Sequence, residues 1–571
     1  MTLLQDRPEA EAPEAPSPPV RVARADTWLD TSDHKRLGLL FVYSALAFVV
    51  AGGVVGIVAG AKQVSPGLSL GIDNWLRLYS FHTTVSVLLF LTAIWVGLAT
   101  YVVPLQIGAG RLAMPRLLAT GFWLYLVGGA CLVASYIVGQ VNGTGIVQSH
   151  PLPHVAGGAN VATSLWIVSL MLISSAFFVA AASLFATVVT QRTTGMTLLR
   201  VPAFSWATMV ASAVTLLATP VFLAGLLLLY LDQHFGGNLF DYPRTAAALP
   251  IWQHTVWLYG RPDVFILTLV ALGAATDIVT THAHRPLLDH RVGAAVLALF
   301  GVLSLTTFGV GDRVTEAVVV PTYTVLTSLV VIPLGVTVLL WLGTLAQGRP
   351  RLHVSLVYVA GAVLLWVTGA ANAIGAAAQG VPGFQGNSAW VAGNAHVVVF
   401  GPPTLLAVGA LYHWGPKMWG RKLNAGLGAL AFLALFAGFL ASGLAYYFLG
   451  YNGVPLGQVT GITSYQKGLY SLAEAGGALI VLGVLVLVID IAASVGGRRG
   501  RPAGDDPYEG LTLEWATSSP PPPYGFDSLP EVRSAAPLAH LRGTGAGGPR
   551  PDADGSPGDA GQTALPAKAG S

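Results

Sequence analysis

Long apolar segments recur along most of the chain and are separated by short polar connections. Twelve such runs lie near residues 38–62, 78–104, 118–139, 163–190, 206–232, 250–276, 292–310, 320–345, 355–377, 393–413, 427–449 and 472–495. Each is close to or above the roughly 20 residues that an apolar helix needs to cross a bilayer. The pattern predicts an all-α integral membrane protein of about twelve transmembrane helices.

Composition agrees with a membrane protein and excludes several other classes. The 571 residues are 54% hydrophobic and only 10% charged, whereas a soluble domain carries about 25% charged residues. A formal net charge of +3 is too small to indicate a nucleic-acid partner, while membrane lipid is an expected one. The single cysteine, Cys131, gives no support for disulfides, iron–sulfur clusters or covalently attached haem.

The distribution of basic residues predicts the orientation in the membrane. Twelve spans place both termini on one side, and positively charged loops favour the cytoplasm. The loops on the side of the termini carry most of the basic residues: Arg24, Lys35, Arg36, Arg111, Arg116, Arg192, Arg200, Arg285, Arg291, Arg349, Arg351, Lys417, Arg421, Lys422, Arg498, Arg499 and Arg501. The opposite loops hold little beyond Lys62, Arg77, Arg244, Arg313 and Lys467. We therefore expect a multi-pass protein of the cell (inner or plasma) membrane with both termini cytoplasmic.

Three regions follow from these changes in composition. Residues 1–27 are rich in Pro, Glu and Ala, lack an apolar signal core, and are expected to form a disordered cytoplasmic tail. Residues 28–497 hold the membrane domain. Residues 498–571 form a polar, Pro/Gly-rich tail that cannot bury enough apolar surface to fold alone.

Two histidines within predicted spans are candidates for binding a haem iron. His82 and His396 each lie about one turn into a span that begins on the outer side, so their rings are expected at similar depths. Two neutral imidazoles from facing helices are what a six-coordinate, low-spin haem requires. The alternative is that each ring only hydrogen-bonds a neighbouring helix. His254, in the sixth span, is more typical of a structural histidine than of a metal ligand.

Several motifs resemble the haem-copper oxidase subunit I family. They are residues 28–36 (WLDTSDHKR), 101–109 (YVVPLQIGA), 115–117, 122–124, 252–254 with 260–265 (GRPDVF), 512–515 (TLEW) and 518–524 (SSPPPPY). They occur in the family's order and at matching spacings from about residue 28 to 532. The resemblance implies the twelve-helix fold of that family and assigns His82 and His396 to the two axial ligands of its low-spin haem, of b or a type.

At the family's other metal positions, this sequence has different residues. The resemblance places the first copper ligand at Arg261, the cross-linked tyrosine at Phe265, and the adjacent His–His pair at Leu305 and Thr306. The ligand of the high-spin haem falls on Asn394. Leucine, threonine and guanidinium offer no neutral nitrogen lone pair to copper. Copper is therefore not expected.

The resemblance also locates missing proton-path and propionate-contacting residues. The expected lysine of the eighth span is Thr337, the acid after the second span is Arg111, and the paired arginines fall on Leu456 and Gly457. Arg261 is a charge at membrane depth, which costs on the order of 3 kcal/mol unless it is paired or hydrated. We expect it either to pair with a group from another span, replacing the charge of copper, or only to fill a polar remnant.

Three functions are compatible with these residues. The first is a respiratory haemoprotein that relays electrons through one low-spin haem in an oxidase-like complex, with subunit II-like or subunit III-like partners and a quinol or cytochrome c-type donor. The second is a working terminal oxidase with an atypical site that uses His254. The third is a non-redox transporter or assembly subunit on the same scaffold. Retention of both His82 and His396 favours the first.

Overall fold

The computed structural model describes most of the membrane domain and part of the C-terminal region. It covers residues 28, 31–65, 67–68, 70–139, 160–237, 239–240, 248–306, 325–326, 328–378, 388–497 and 500–539. For residues 73, 248–254, 256–264 and 375–378 only the backbone is described. The predicted N-terminal tail, residues 1–27, lies outside the described residues.

Helices account for nearly all the regular structure of the described residues. In chain order they are α1 (His34–Val64), α2 (Ile72–Thr84), α3 (Ala93–Gln106), α4 (Pro115–Val138), α5 (Val161–Thr190), α6 (Ala203–Phe235), α7 (Ala248–Ala283), α8 (His290–Leu305), α9 (Val331–Gln347), α10 (Val354–Ala378), α11 (Trp390–Asn394), α12 (Gly401–Trp419), α13 (Ala425–Tyr451) and α14 (Ser464–Val495). Two π-helical segments, Val85–Thr92 and Ala395–Phe400, join α2 to α3 and α11 to α12.

The predicted all-α membrane fold is confirmed. Ten described helical segments are long and apolar enough to cross a membrane, counting α2–α3 and α11–α12 as one segment each, and α8 and α9 are shorter apolar helices. These twelve segments lie at the positions of the twelve apolar runs. The helices begin where short polar side chains can cap them: Asn424 accepts hydrogen bonds from the first backbone N–H groups of α13, and Thr463 with Gln466 forms a capping box on α14.

A short C-terminal segment, residues 500–539, packs against one end of the helical bundle. Its strand β2 (Arg501–Pro502) pairs antiparallel with β1 (Arg421–Lys422), which follows α12. The buried ammonium of Lys417 donates hydrogen bonds to the backbone oxygens of Asp505 and Thr517. This part of the tail is therefore ordered by the bundle, because its own few apolar residues would not hold it.

Two carboxyl groups are buried together where this segment meets the bundle. The Nε2 of Gln106 donates to Asp277 Oδ2 at 2.7 Å and to Glu514 Oε1 at 3.1 Å, while the hydroxyl of Ser205 donates to Gln106 Oε1. Trp414 Nε1 donates to the same oxygen of Glu514 at 3.3 Å. Burial raises the pKa of the Glu514 carboxyl above its usual range. The tail is thus fixed to the bundle partly through the buried carboxyl of Glu514, whose ionisation folding makes less favourable.

The raised pKa of Glu514 predicts how stability changes with pH. Because the folded chain holds this proton more tightly than the unfolded chain, stability falls as pH rises from the ordinary glutamate pKa to the raised folded value. Glu514→Gln keeps the acceptor oxygen without a charge, so it should raise the unfolding temperature of the detergent-solubilised protein at neutral pH. Thermal unfolding at a series of pH values measures this, with the exposed Glu531→Gln as control. Parallel pH profiles for wild type and Glu514→Gln would contradict it.

Candidate functional site

A largely apolar cavity lies between α1, α2, the α11–α12 segment, α13 and α14. It encloses about 1460 Å³ of empty space, counted together with its opening. His82 and His396 both line it, so the structure brings the two predicted ligands together. Most of the remaining wall is glycine, alanine, aliphatic or aromatic, which is the surrounding that a large planar apolar group requires.

The two imidazoles are oriented by equivalent hydrogen bonds. His82 Nδ1 lies 2.9 Å from the carbonyl oxygen of Gly52, and His396 Nδ1 lies 2.8 Å from the carbonyl oxygen of Ala392. A carbonyl oxygen only accepts, so in each ring Nδ1 carries the proton and Nε2 keeps its lone pair. Metal-binding histidines are commonly oriented in this way, by a donated N–H bond from the other ring nitrogen. Both side chains therefore fit the axial positions of a haem iron.

Each ligand-bearing span contains a π-helical segment at the histidine. His82 lies in the last turn of α2, just before the segment Val85–Thr92, and His396 lies inside the segment Ala395–Phe400. The N–H of Gly401 donates to the carbonyl of His396, five residues earlier. The wider turn rotates the following residues relative to a regular α-helix, and such bulges are frequent at functional sites.

A stripe of glycines on α1 allows α2 and α14 to approach closely. Gly52, Gly56 and Gly60 are spaced by four residues and so share one face. A Cβ at Gly56 would lie 2.6 Å from Nδ1 of His82, and a Cβ at Gly52 would lie 2.7 Å from Cγ1 of Val85. Because these glycines have no side chains, this face of α1 leaves enough space for the His82 ring.

Aromatic side chains pack against His396, the second predicted ligand, and form part of the cavity wall. The ring of Tyr446 stacks on His396, with centroids 5.7 Å apart and planes 25° apart, and Phe439 lies 6.5 Å from the same imidazole. Trp75, which also lines the cavity, donates its Nε1 hydrogen to the carbonyl of Ala59 on α1. The cavity wall is thus built from side chains whose rotamers are fixed by neighbouring helices.

Three further cavity residues bear on the predicted site. Leu456 and Gly457, where the family resemblance places paired arginines, both line the cavity. Glu474 of α14 lines it as well, and its Oε1 is buried without a hydrogen-bond partner among the described residues. Glu474 was not predicted from the sequence, although a single carboxyl two residues into the last apolar run could have identified it.

The residues at the predicted copper and high-spin haem positions make ordinary structural contacts. Phe265 packs against Phe300 with ring centroids 6.4 Å apart, and Thr306 donates its hydroxyl hydrogen to the carbonyl of Leu303. Asn394 Oδ1 accepts a hydrogen bond from Tyr447 at 3.4 Å. Leu305, also part of this predicted set, is partly buried against the main hydrophobic core. None of the predicted positions Phe265, Leu305, Thr306 and Asn394 lines the cavity described above.

The predictions for Arg261 and His254 fall on side chains outside the described residues. The backbone of both belongs to α7. Their backbone position in the sixth span agrees with the prediction, whereas the expected partner of Arg261 stays a prediction.

Three histidines lie close together at the end of the bundle near residues 500–539. No role was predicted for them from the sequence. The rings of His282 and His353 stack with centroids 4.5 Å apart, and both hydrogen-bond the hydroxyl of Ser355. His413 lies 5.4 Å from His282. Burial, and then the charge of Lys422, lowers the pKa of His353 to about 4. Within the described part of the chain, no group of three or more His, Cys, Asp and Glu residues has an arrangement that could hold a metal ion.

Comparison with known proteins extends these similarities over nearly the whole chain. A family model described as cytochrome c and quinol oxidase polypeptide I matches residues 36–485. The chain is 31% identical over 551 residues to cytochrome c oxidase subunit 1 of Corynebacterium glutamicum, which covers 95% of this chain and 94% of that relative. Identity to cytochrome c oxidase subunit 1 of Corynebacterium diphtheriae is 30% over 551 residues, covering 95% and 97%.

A solved structure shows the same fold. A haem-copper terminal oxidase dimer determined by cryo-EM matches with a TM-score of 0.68 over 81% of this chain and 84% of that chain. The sequence identity in this comparison is 16%, so it supports the arrangement of helices and nothing finer.

The close contact between Gly56 and His82 predicts that a side chain at position 56 would disturb haem binding. Gly56→Ala places a methyl group against Nδ1 of His82, so the ring must move and its bond to Gly52 must weaken. We expect a lower haem-to-protein ratio and an altered electron paramagnetic resonance spectrum of the oxidised protein. Gly468→Ala on α14 is the matched control, because a Cβ there meets nothing within 4 Å. An unchanged spectrum and full haem content in Gly56→Ala would show that this contact does not position the ligand.

Proposed function

This chain belongs to the cytochrome c and quinol oxidase polypeptide I family, and from that premise we propose that it relays electrons through one low-spin haem held by His82 and His396. The haem would be of b or a type. The observation that carries the proposal is the pair of equivalent Nδ1 hydrogen bonds, which leave both Nε2 lone pairs available to one iron.

The chain's own residues would bind and orient the haem. The glycine face of α1 makes room for it, the π-helical segments direct the two spans, and Tyr446 fixes the His396 ring from one side. When bound, the haem would supply one-electron redox chemistry with no axial position left for a substrate. Most of the wall is apolar, and this low-polarity surrounding strengthens the electrostatic influence of any charged group near the iron.

We further propose that the chain has no oxygen-reducing metal pair of its own. Support comes from the residue types at the positions that the family uses for copper and the high-spin haem: Arg261, Phe265, Leu305, Thr306 and Asn394. The amide oxygen of Asn394 and the hydroxyl of Thr306 are engaged in hydrogen bonds within the protein. A fixed charge at Arg261 would replace the electrostatic effect of the missing copper.

The proposed setting is a larger respiratory complex in the plasma membrane. Proteins of the haem-copper oxidase subunit I family generally work with subunit II and subunit III partners, and the multi-span fold agrees with a membrane location. For this chain we propose subunit II-like or subunit III-like partners, a quinol or cytochrome c-type donor, and cytoplasmic termini.

A working terminal oxidase is the second candidate. The similarity to cytochrome c oxidase subunit 1 sequences over 95% of the chain favours it. The two candidates differ in one chemical property: an oxidase needs an open coordination position at a high-spin haem, and the proposed relay has none.

Metal content and gas binding separate the two candidates. For the purified full-length chain we expect one haem per chain, no stoichiometric copper, and a reduced-minus-oxidised spectrum of a low-spin haem that carbon monoxide leaves unchanged. Haem extraction, metal analysis and a carbon monoxide difference spectrum measure these quantities. A carbon monoxide shift, a second haem or one copper per chain would establish the oxidase instead.

Removing either ligand tests the assignment of the site. His82→Ala and His396→Ala each leave the iron with at most one imidazole, so we expect the low-spin spectrum to disappear and the haem-to-protein ratio to fall severalfold. His234→Ala is the matched control, because that histidine is exposed at the end of α6. If the two ligand variants retained the wild-type spectrum at normal protein yield, the assignment would be wrong.

A further inference from the structure

One acidic side chain shares the cavity with the two histidines and has no role in the proposed electron relay. Glu474 lies about ten residues into α14, and its Oε1 is buried without a hydrogen-bond partner among the described residues. Its carboxylate occupies the space beside Gly60, where any larger residue on α1 would collide with Oε2. The carboxyl is therefore packed against the cavity wall, and its Oε1 has no polar partner among the described residues.

The glycine stripe also gives the depth of this carboxyl relative to the ligand. Gly56 contacts the ring of His82, and Gly60 contacts Glu474. Four residues of helix correspond to about 6 Å. Glu474 thus lies roughly one helical turn from the level of the His82 ring, toward the end of the bundle where α1 ends, and the structure gives no contact between the two side chains.

The cavity provides no positive side chain to balance this acid. Among the described residues that line it, none is lysine or arginine, and the titratable groups other than Glu474 are Tyr79, His82, His396, Tyr446 and Tyr470. The phenols carry no charge at neutral pH. Gln63 is the polar residue that α1 contributes, and its Nε2 donates to the carbonyl of Gln458. A charge change on a bound group would therefore act on Glu474 without compensation from a cation among the described residues that line the cavity.

We propose that Glu474 is a redox-linked proton acceptor of this site, an inference that rests on the proposed haem. Glu474 takes up one proton from water as one electron from a quinol or reduced cytochrome converts the iron from ferric to ferrous. One O–H bond forms at the carboxylate and one breaks in the hydronium ion that delivers the proton, so the charge near the cavity stays constant. On oxidation the electron leaves and the proton is released. The chain thereby couples electron transfer to proton uptake through a residue of its own.

A redox titration of the purified protein at several pH values tests this. With full coupling, a rise of one pH unit lowers the ratio of reduced to oxidised haem at fixed potential tenfold, which equals about 59 mV for one electron. We expect a slope of this sign in the wild type and none in Glu474→Gln, which keeps the shape but cannot ionise. Glu531→Gln, at an exposed position outside the cavity, should keep the wild-type slope. Equal slopes in wild type and Glu474→Gln, or no slope in the wild type, would overturn the inference.

If Glu474→Gln does not bind haem, a second measurement on the wild type tests whether Glu474 takes up a proton on reduction. A reduced-minus-oxidised infrared spectrum of the wild type should show a protonated carboxyl band that appears on reduction and shifts when glutamate is labelled with ¹³C. Lack of such a band would refute the role of Glu474 while leaving the haem relay intact. Absence of haem from the wild type would instead refute the proposed function itself.

Discussion

The hydrogen bonds from His82 and His396 to backbone carbonyls are the interactions on which the proposed site depends. Each bond assigns the proton to Nδ1 and leaves Nε2 as the nitrogen with a lone pair. The carbonyl of Gly52 can reach its ring only because α1 presents glycine at this face, and that of Ala392 belongs to the same span as His396. Helix packing, through residues without side chains, thus determines which ring atoms are available for chemistry.

Compared with the family, this chain retains the residues at the low-spin haem positions and has different residues at the copper and high-spin haem positions. At the cavity of His82 and His396, both predicted ligands lie beside π-helical segments and close helix contacts. At the positions of Leu305 and Thr306, the side chains have no nitrogen donor, and Thr306 bonds its own helix. We therefore propose that the family's electron-accepting site has been kept without its oxygen-reducing one. The unpaired carboxyl of Glu474 gives the retained site a feature that these motifs do not predict.

Hydrophobic periodicity predicted the helices well, because a bilayer imposes length and polarity on each span separately. The two ligands were predicted from their positions in these spans and from the family motifs. Glu474 was missed because one carboxyl in an apolar run does not show which helix it faces. The cluster of His282, His353 and His413 was missed for a similar reason, since its members come from separate segments. The docking of residues 500–539 depends on contacts such as that of Lys417 with Thr517, which composition cannot reveal.

The most direct test of the central claim is a cryo-EM map of the purified full-length chain at a resolution that shows ring planes. We expect one iron-centred macrocycle between α2 and the α11–α12 segment, with Nε2 of His82 and of His396 on opposite faces of the iron. We expect protein side chains and no metal around Phe265 and Leu305. Copper or a second macrocycle in that region, or an iron that neither imidazole touches, would contradict it.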